Sequence, residues 1–183
     1  LPNVAQTGTG NYIDNSPSTN HNDSVSGRLD HQFHHAGLLF GRYNINNEDG
    51  GIGGQFPLRP TTEDVRAQQI VLGHTFAGSD WLNEARLSFT RLRVFDVPQS
   101  AFKQNVAQEL GLNNGPSDPF AFGLPYFLVT DYSTVTDDPT LPQVQRDNTW
   151  SVSDAVSLSR GRHNWRFGFD WVHFQFNFLQ SEM

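Results

Sequence analysis

The sequence of 183 residues contains no cysteine, only one methionine and no long run of apolar residues. The absence of cysteine excludes disulfide bonds, thiolate metal sites and cysteine nucleophiles. A membrane-spanning helix needs roughly 18 consecutive apolar residues, and no part of the chain approaches that length. A transmembrane helix is therefore excluded, whereas strands that cross a membrane are not.

Basic residues are also scarce. The chain has 12 Lys and Arg against 19 Asp and Glu, which gives a formal net charge of -7. Nucleic-acid binding requires clustered basic side chains that neutralise phosphates. We therefore expect no nucleic-acid partner.

Common catalytic and nucleotide-binding signatures are missing from the sequence. No G-x-S-x-G elbow, H-E-x-x-H motif or Walker A loop occurs, and the glycines at 51–54 lack the strand and helix of a dinucleotide fingerprint. His31, His34 and His35 lie in a strand and turn, where helical ligand spacing has no meaning. The sequence therefore predicts no enzyme activity, no cofactor and no metal site. Three acidic pairs are predicted to be solvated charges in loops: Glu48 and Asp49, Glu63 and Asp64, and Asp137 and Asp138.

Residues 148–178 form the most informative stretch, because apolar side chains occupy every second position on both sides of a tight turn at Gly161 and Arg162. This period of two indicates β-strands with one apolar face. No other segment offers a helix or a dense apolar face to cover it, so lipid is the simplest cover. The alternating apolar residues are Trp150, Val152, Val156 and Leu158 in the first arm and Trp165, Phe167, Phe169 and Trp171 in the second.

The whole chain predicts an all-β, antiparallel up-and-down meander of about six long strands, an incomplete piece of a transmembrane β-barrel. The predicted strands are 23–33, 38–47, 65–76, 81–95, 144–160 and 164–178. Residues 1–22, 48–64 and 96–143 are predicted loops, the last with a short helix at 105–112.

The connections alternate between short and long. Outer-membrane barrels have tight periplasmic turns on one rim and long extracellular loops on the other. We therefore expect 48–64 and 96–143 to lie outside the cell, the second combining aromatic residues with flexible Gly and Pro in a way suited to ligand binding. Its candidate ligand-binding residues are Phe120, Phe122, Tyr126, Phe127 and Tyr132.

Four tryptophans mark the expected membrane interfaces. Trp81 and Trp165 start strands directly after short turns, where an indole ring sits among lipid headgroups. We place these two at the periplasmic interface, and Trp150 and Trp171 nearer the outer one.

The turn at Gly161 and Arg162 fixes a register for the last hairpin. It predicts Leu158 opposite Trp165, Val156 opposite Phe167 and Val152 opposite Trp171 on the lipid face, with Ser157 opposite Arg166 and Ser153 opposite Asp170 on the lumen face. Asp154 falls on the lipid face opposite Phe169 and is the misfit. We expect a local bulge, a bend or a reach to the interface to accommodate it.

Several strand motifs resemble the barrel of TonB-dependent outer-membrane receptors, especially Oar-like receptors of Acidobacteria. They are RLDHQF at 28–33, LFGRY at 39–43, LNEARLSF at 82–89, LPQVQRDNTW at 141–150 and SRGRHNWRFGFD at 159–170. The resemblance covers most of 20–178. It implies a 22-stranded barrel with a plug domain and a TonB box, neither of which this chain contains, so we interpret the chain as a fragment.

The resemblance implies a place in the outer membrane of a Gram-negative bacterium and active uptake of a scarce solute. A siderophore, cobalamin, oligosaccharide or peptide would fit, and the expected partners are the lipid bilayer, the receptor's own plug, TonB and the ligand. Two alternatives stay open: a secreted soluble β-sandwich that binds carbohydrate through Trp150, Tyr126 and Tyr132, and a β-rich hydrolase that uses loop carboxylates. Sequence alone does not identify the substrate.

Overall fold

The computed structural model describes residues 3–5, 10–53 and 61–181. Within these ranges no helix has the length and apolar character needed to cross a membrane. Six strands dominate: β1 Thr19–Phe33, β2 Gly37–Ile52, β3 Thr61–Ala77, β4 Trp81–Pro98, β5 Gln143–Arg160 and β6 His163–Gln180.

The strands form a single antiparallel sheet in the order β1-β2-β3-β4-β5-β6. Every strand pairs with its neighbours in sequence, so each connection closes a hairpin. This topology confirms the predicted all-β meander. The described residues contain no second sheet packed on the first, which the soluble β-sandwich alternative requires.

The strands on the long-loop rim are longer than predicted. β1 begins at Thr19, β2 continues to Ile52 and β3 begins at Thr61. Parts of the predicted loops 1–22 and 48–64 therefore belong to strands. Residues 54–60 of the second loop lie outside the described residues. The prediction stopped at polar residues and glycines, but backbone pairing continues through them, for example between Gly50 and Glu63, because ladder hydrogen bonds do not depend on side-chain polarity.

Strand length exceeds what a membrane requires. β4, β5 and β6 each have 18 residues, or about 59 Å at roughly 3.3 Å per residue. A tilted membrane strand needs only about 9–11 residues. One half of each strand, beside the short turns, is thus enough to cross a bilayer, and the other half extends beyond it.

The long connection between β4 and β5 is folded. It contains the helix α1 Val106–Glu109, inside the predicted 105–112, a 3-10 helix at Pro119–Ala121 and a bridge between Phe127 and Val135. Its buried apolar side chains and those beside it form the core of the described residues: Val97, Ala101, Val106, Ala107, Leu124 and Leu141. The core therefore sits at the rim and not against the wall of the sheet.

Candidate functional site

The half of the sheet beside the short turns has one apolar face and one polar face. We call them the outer face and the inner face. Strand register and alternation place Ser88, Ser153 and Arg166 on the inner face. Phe167, on the outer face, is 62% exposed. The outer face is an uncovered apolar surface, with side chains from five strands: Leu39, Ile70, Leu72, Leu87, Phe89, Val152, Val156, Phe167, Phe169 and Trp171.

The final hairpin has the predicted register. Leu158 lies opposite Trp165, Val156 opposite Phe167, and Ser157 opposite Arg166. Gly161 adopts a positive φ of 63° in the turn, a conformation that glycine adopts without steric cost.

Asp154 lies opposite Phe169 as predicted, but no bulge interrupts the ladder around it. The side-chain amide of Asn83 on β4 donates a hydrogen bond of 2.7 Å to its Oδ1. Asn83 pairs with Val156 and is therefore on the same outer face. The expected bulge was wrong, because the ladder continues through Asp154 and a polar neighbour satisfies the carboxylate in place.

The four predicted interface tryptophans lie in two rows on the outer face. Trp81 and Trp165 both flank Leu158 beside the short turns. Trp150 lies opposite Phe89, with ring centroids 4.4 Å apart, and Trp171 lies next to that row. The distance from Trp81 to Phe89 is about 26 Å along β4 at roughly 3.3 Å per residue, or about 20 Å along the membrane normal at a tilt of roughly 40°.

The polarity of the two faces reverses beyond the upper aromatic row. Along β3 and β4, apolar residues now point inward, while Gln68 and several arginines point outward. β6 shows the same reversal, because its last three phenylalanines, Phe174, Phe176 and Phe178, lie on the inner face. Their ring centroids are 6.5 and 5.8 Å apart, with interplanar angles of 18° and 16°. We call these three residues the phenylalanine ladder.

Polar groups of β5 lie beside the phenylalanine ladder. Thr149, Asp147 and Gln145 pair with Phe174, Phe176 and Phe178 in turn. Asp147 is only 8% exposed. Its Oδ2 accepts a hydrogen bond of 2.6 Å from Gln145, and its Oδ1 has no partner among the residues that the structure describes. Buried acceptors in folded proteins are usually paired, so this oxygen is a candidate contact for a bound solute.

A second carboxylate lies on the inner face at the rim. Asp96 pairs directly with Glu63. Burial, together with the nearby negative charges of Glu63 and Asp138, raises the pKa of Asp96 to about 6. Across the described ranges, no group of three or more His, Asp or Glu side chains is arranged to hold a metal ion.

The five predicted ligand-binding residues do not form one site. Phe120 packs edge-on against Phe102, at 5.7 Å between ring centroids, and Phe102 stacks on Phe95 at 6.0 Å. Phe120 thus belongs to the packed base of the loop. Phe122 is half-buried.

The other three predicted residues lie on a small hairpin within the loop. Phe127 and Val135 exchange backbone hydrogen bonds of 3.1 and 3.2 Å, and a turn closes where Tyr132 N donates to Val129 O at 3.1 Å. Tyr126 is exposed, Leu128 is 75% exposed and Tyr132 is 76% exposed. The hairpin therefore presents apolar and aromatic side chains to the surroundings.

A family model described as outer membrane beta barrel domain matches residues 1–183. The chain belongs to this family. Its outer face is therefore the lipid face, and the protein resides in the outer membrane. No curated protein and no solved structure matches the chain significantly.

Two features of this outer-membrane barrel wall escaped sequence reasoning. The phenylalanine ladder could have been predicted from the sequence, because the aromatic positions in β6 change from odd to even numbers after Trp171, which moves the rings to the other face. Asp137 had no such signal. It is buried, and its Oδ2 accepts hydrogen bonds from Leu124 N at 2.7 Å and from Ser100 Oγ at 3.3 Å. The interpretation of Asp137 as a solvated charge was wrong, since this carboxylate ties two parts of the loop together.

Proposed function

We propose that this chain forms wall and extracellular loops of a TonB-dependent outer-membrane transporter that takes up a scarce solute. A siderophore, cobalamin, an oligosaccharide or a peptide would be imported. The observation that supports a solute-binding wall is the phenylalanine ladder on the inner face, beyond the apolar band. Lipid does not reach that side of a barrel, so membrane insertion gives no reason for three stacked rings there.

The surroundings of the phenylalanine ladder suit a bound solute. Exposed rings offer a stacking surface, and binding sites commonly combine such a surface with a few polar groups that orient the ligand. Asp147 supplies an acceptor oxygen without a partner, and Gln145 and Thr149 lie beside it. Nearer the short turns the inner face carries polar and charged residues, with Ser153 paired to Arg86 and Asp170.

The long loop has a fixed base and an exposed tip. Asp137 and the Phe95, Phe102 and Phe120 stack hold the base at the rim. Tyr132 lies at the tip of the hairpin. This combination suits a loop that contacts solute from outside while its attachment stays ordered.

In this proposal the chain performs no catalysis. The plug and the TonB-binding segment belong to regions outside the 183 residues, and they supply gating and energy. A carbohydrate-binding β-sandwich has no support, because its second sheet is missing from the described residues.

Uptake by cells carrying the full-length receptor tests the proposal. Radiolabelled ferric hydroxamate, cobalamin, maltohexaose and a mixed oligopeptide pool are supplied to cells with and without TonB. We expect one solute to accumulate only when both receptor and TonB are present. Accumulation of none, or equal accumulation without TonB, would contradict the proposal.

Matched variants then test the phenylalanine ladder. Phe176→Leu removes an inner-face ring, and Phe169→Leu removes an outer-face ring from the same strand. We expect Phe176→Leu to lower the affinity for the accumulated solute several-fold, in line with the modest energy of a single aromatic contact, and Phe169→Leu to leave it unchanged. Equal effects would show that the solute does not contact the phenylalanine ladder.

A further inference from the structure

Four arginines lie together on the outer face, just beyond the upper aromatic row. Arg66 pairs with Arg93, and Arg93 pairs with Arg146, so β3, β4 and β5 place three guanidinium-bearing residues side by side. Arg91 lies two residues before Arg93 on the same face. All four are exposed. We call these four residues the arginine row.

Such a row is unfavourable on its own. Like charges directly opposite each other on neighbouring strands repel and destabilise the sheet. Ion pairs between described residues do not include any of the four. Arg66 Nε donates to the neutral Asn47 at 2.6 Å, and Arg93 lies 5.9 Å from the ring of Phe95. An anion from outside the sheet would remove the repulsion.

The acidic side chain nearest to the row on this face is Asp64, two residues before Arg66 on β3. Asp64 lies closer to the rim than the row does, between its strand partners Phe95 and Asp49. Arg91 itself lies between the neutral Gln68 and Asn148. Asp64 and Asp49 lie on the rim side of the row, Asp23 lies level with it but is separated from Arg66 by the neutral Asn47, and Asp154 lies well below it, bonded to Asn83. On the membrane side the row borders Phe89 and Trp150.

The height of the arginine row matches lipid headgroups. From Trp81 to Arg93 the strand rises about 40 Å at roughly 3.3 Å per residue. At a tilt of roughly 40° this is about 30 Å along the membrane normal, slightly more than the apolar band of about 25 Å. Guanidinium groups at this level lie where the phosphates of the outer leaflet lie.

Charge is also sorted between the two faces at this height. The inner face carries Glu63, Asp96 and Asp147, and the described strand residues there include no Lys or Arg. The outer face carries the arginine row on β3, β4 and β5, with Asp23 on β1 as the acidic residue at the same level. A positive patch confined to the lipid side is not positioned to attract a solute into the lumen, but it is positioned to contact the leaflet around the barrel.

We propose that the arginine row binds the phosphate groups of outer-leaflet lipids. Arginine suits this role, because its planar fork of N–H donors binds phosphate oxygens in pairs, and membrane proteins use basic clusters to bind lipid headgroups. Bound phosphates neutralise the repulsion along the row and fix the height of the wall in the membrane. This proposal rests on the family and its location, and not on transport.

The test uses the purified full-length receptor in detergent and diphosphoryl lipid A as the probe, with bound lipid counted by native mass spectrometry. The variant is R93Q/R146Q. The control is R42Q/R86Q, which removes the same charge from the inner face. We expect R93Q/R146Q to weaken lipid A binding about tenfold or more, since charge-assisted contacts are lost, and the control to stay within about twofold of wild type.

Two further arms identify the source of the phosphate. Dephosphorylated lipid A should bind to wild type and R93Q/R146Q equally and weakly. Inorganic phosphate at millimolar concentration should not displace diphosphoryl lipid A. Displacement by inorganic phosphate would identify a free-anion site, and equal binding of both lipid A forms would show acyl-chain contact alone. Either result would overturn the proposal.

Folding is checked by heat-dependent migration on gels. If R93Q/R146Q does not fold, R93K/R146K replaces it, because lysine keeps the charge and loses the paired donors. We then expect lipid A binding to fall several-fold while the receptor stays folded. Unchanged binding in R93K/R146K would count against recognition by the guanidinium fork. Solute uptake by the same variants is measured separately, because lipid binding by the arginine row does not depend on transport.

Discussion

At the residue scale, the two faces differ most clearly between neighbours on β4. Leu87 lies in the middle of the outer face between Leu72 and Val152, and Ser88 lies on the inner face between Val71 and Ser151. We expect Leu87→Arg to lower the free energy of unfolding by about 2–4 kcal/mol, the cost of arginine near the bilayer midplane. Ser88→Arg should cost far less. Guanidinium unfolding of the full-length barrel in phospholipid vesicles measures both, and equal costs would show that the lipid face is misassigned.

The Asn83 and Asp154 pair allows a second test at this scale. Both lie within the apolar band, where a polar group without a partner is costly. Asn83→Ala leaves Asp154 without its donor and should cost about 1–3 kcal/mol. The double variant N83A/D154A should be more stable than N83A, because it removes both polar groups. Additive losses in the same unfolding assay would show that the hydrogen bond contributes nothing.

At the element scale, the base of the long loop depends on Asp137. Its Oδ2 satisfies the buried N–H of Leu124 and the hydroxyl of Ser100. Asp137→Ala should cost the loop about 1–3 kcal/mol of local stability by leaving a buried donor without a partner. Proteolysis of intact cells should then cut within 99–142 faster. Asp138→Ala is the control, because Asp138 is exposed and its side chain accepts hydrogen bonds from Thr140 in its own turn. An equal increase would argue against the role of Asp137.

The attachment of the same loop should depend on pH through Asp96. Its pKa is raised to about 6 in the folded protein, above its ordinary value of 3.8. The folded state therefore binds the proton more tightly, so the rim is most stable at low pH and loses stability as pH rises from about 3.8 through about 6. Hydrogen-exchange protection factors, which remove the pH dependence of the intrinsic exchange rate, should be higher at pH 5 than at pH 7.5 at the rim ends of β3 and β4 and in residues 136–142. Asp96→Asn should remove most of that difference, and a difference that persists would assign it to other groups.

At the scale of the whole molecule, the sheet has two unpaired edges among the described residues, β1 and β6. An unpaired edge in lipid leaves backbone groups unsatisfied, at several kcal/mol each. In water the outer face adds a broad apolar surface. We expect these 183 residues, expressed alone, to aggregate without detergent. Size-exclusion chromatography and thermal unfolding test this, and a soluble monomer with a cooperative transition would contradict it.

The sequence by itself determined the strands, their order and the register of the last hairpin. Period-two alternation and a two-residue turn are local properties, so Leu158 opposite Trp165 could be predicted without a structure. The short helix at Val106–Glu109 was also predictable, because helix formation over one turn is a local property of the sequence. Local patterns also assigned the lipid face correctly in the half beside the short turns.

Only the tertiary structure decided what distant residues do together. Asn83 and Asp154 lie 71 positions apart, and Ser100 and Asp137 lie 37 apart, so no local pattern pairs them. The arginine row likewise arises from the register of three strands, none of which contains an unusual concentration of charge. Strand pairing brings Asn83 to Asp154 and aligns the arginines, and the folding of the loop brings Ser100 to Asp137; each depends on the complete fold and not on any one segment.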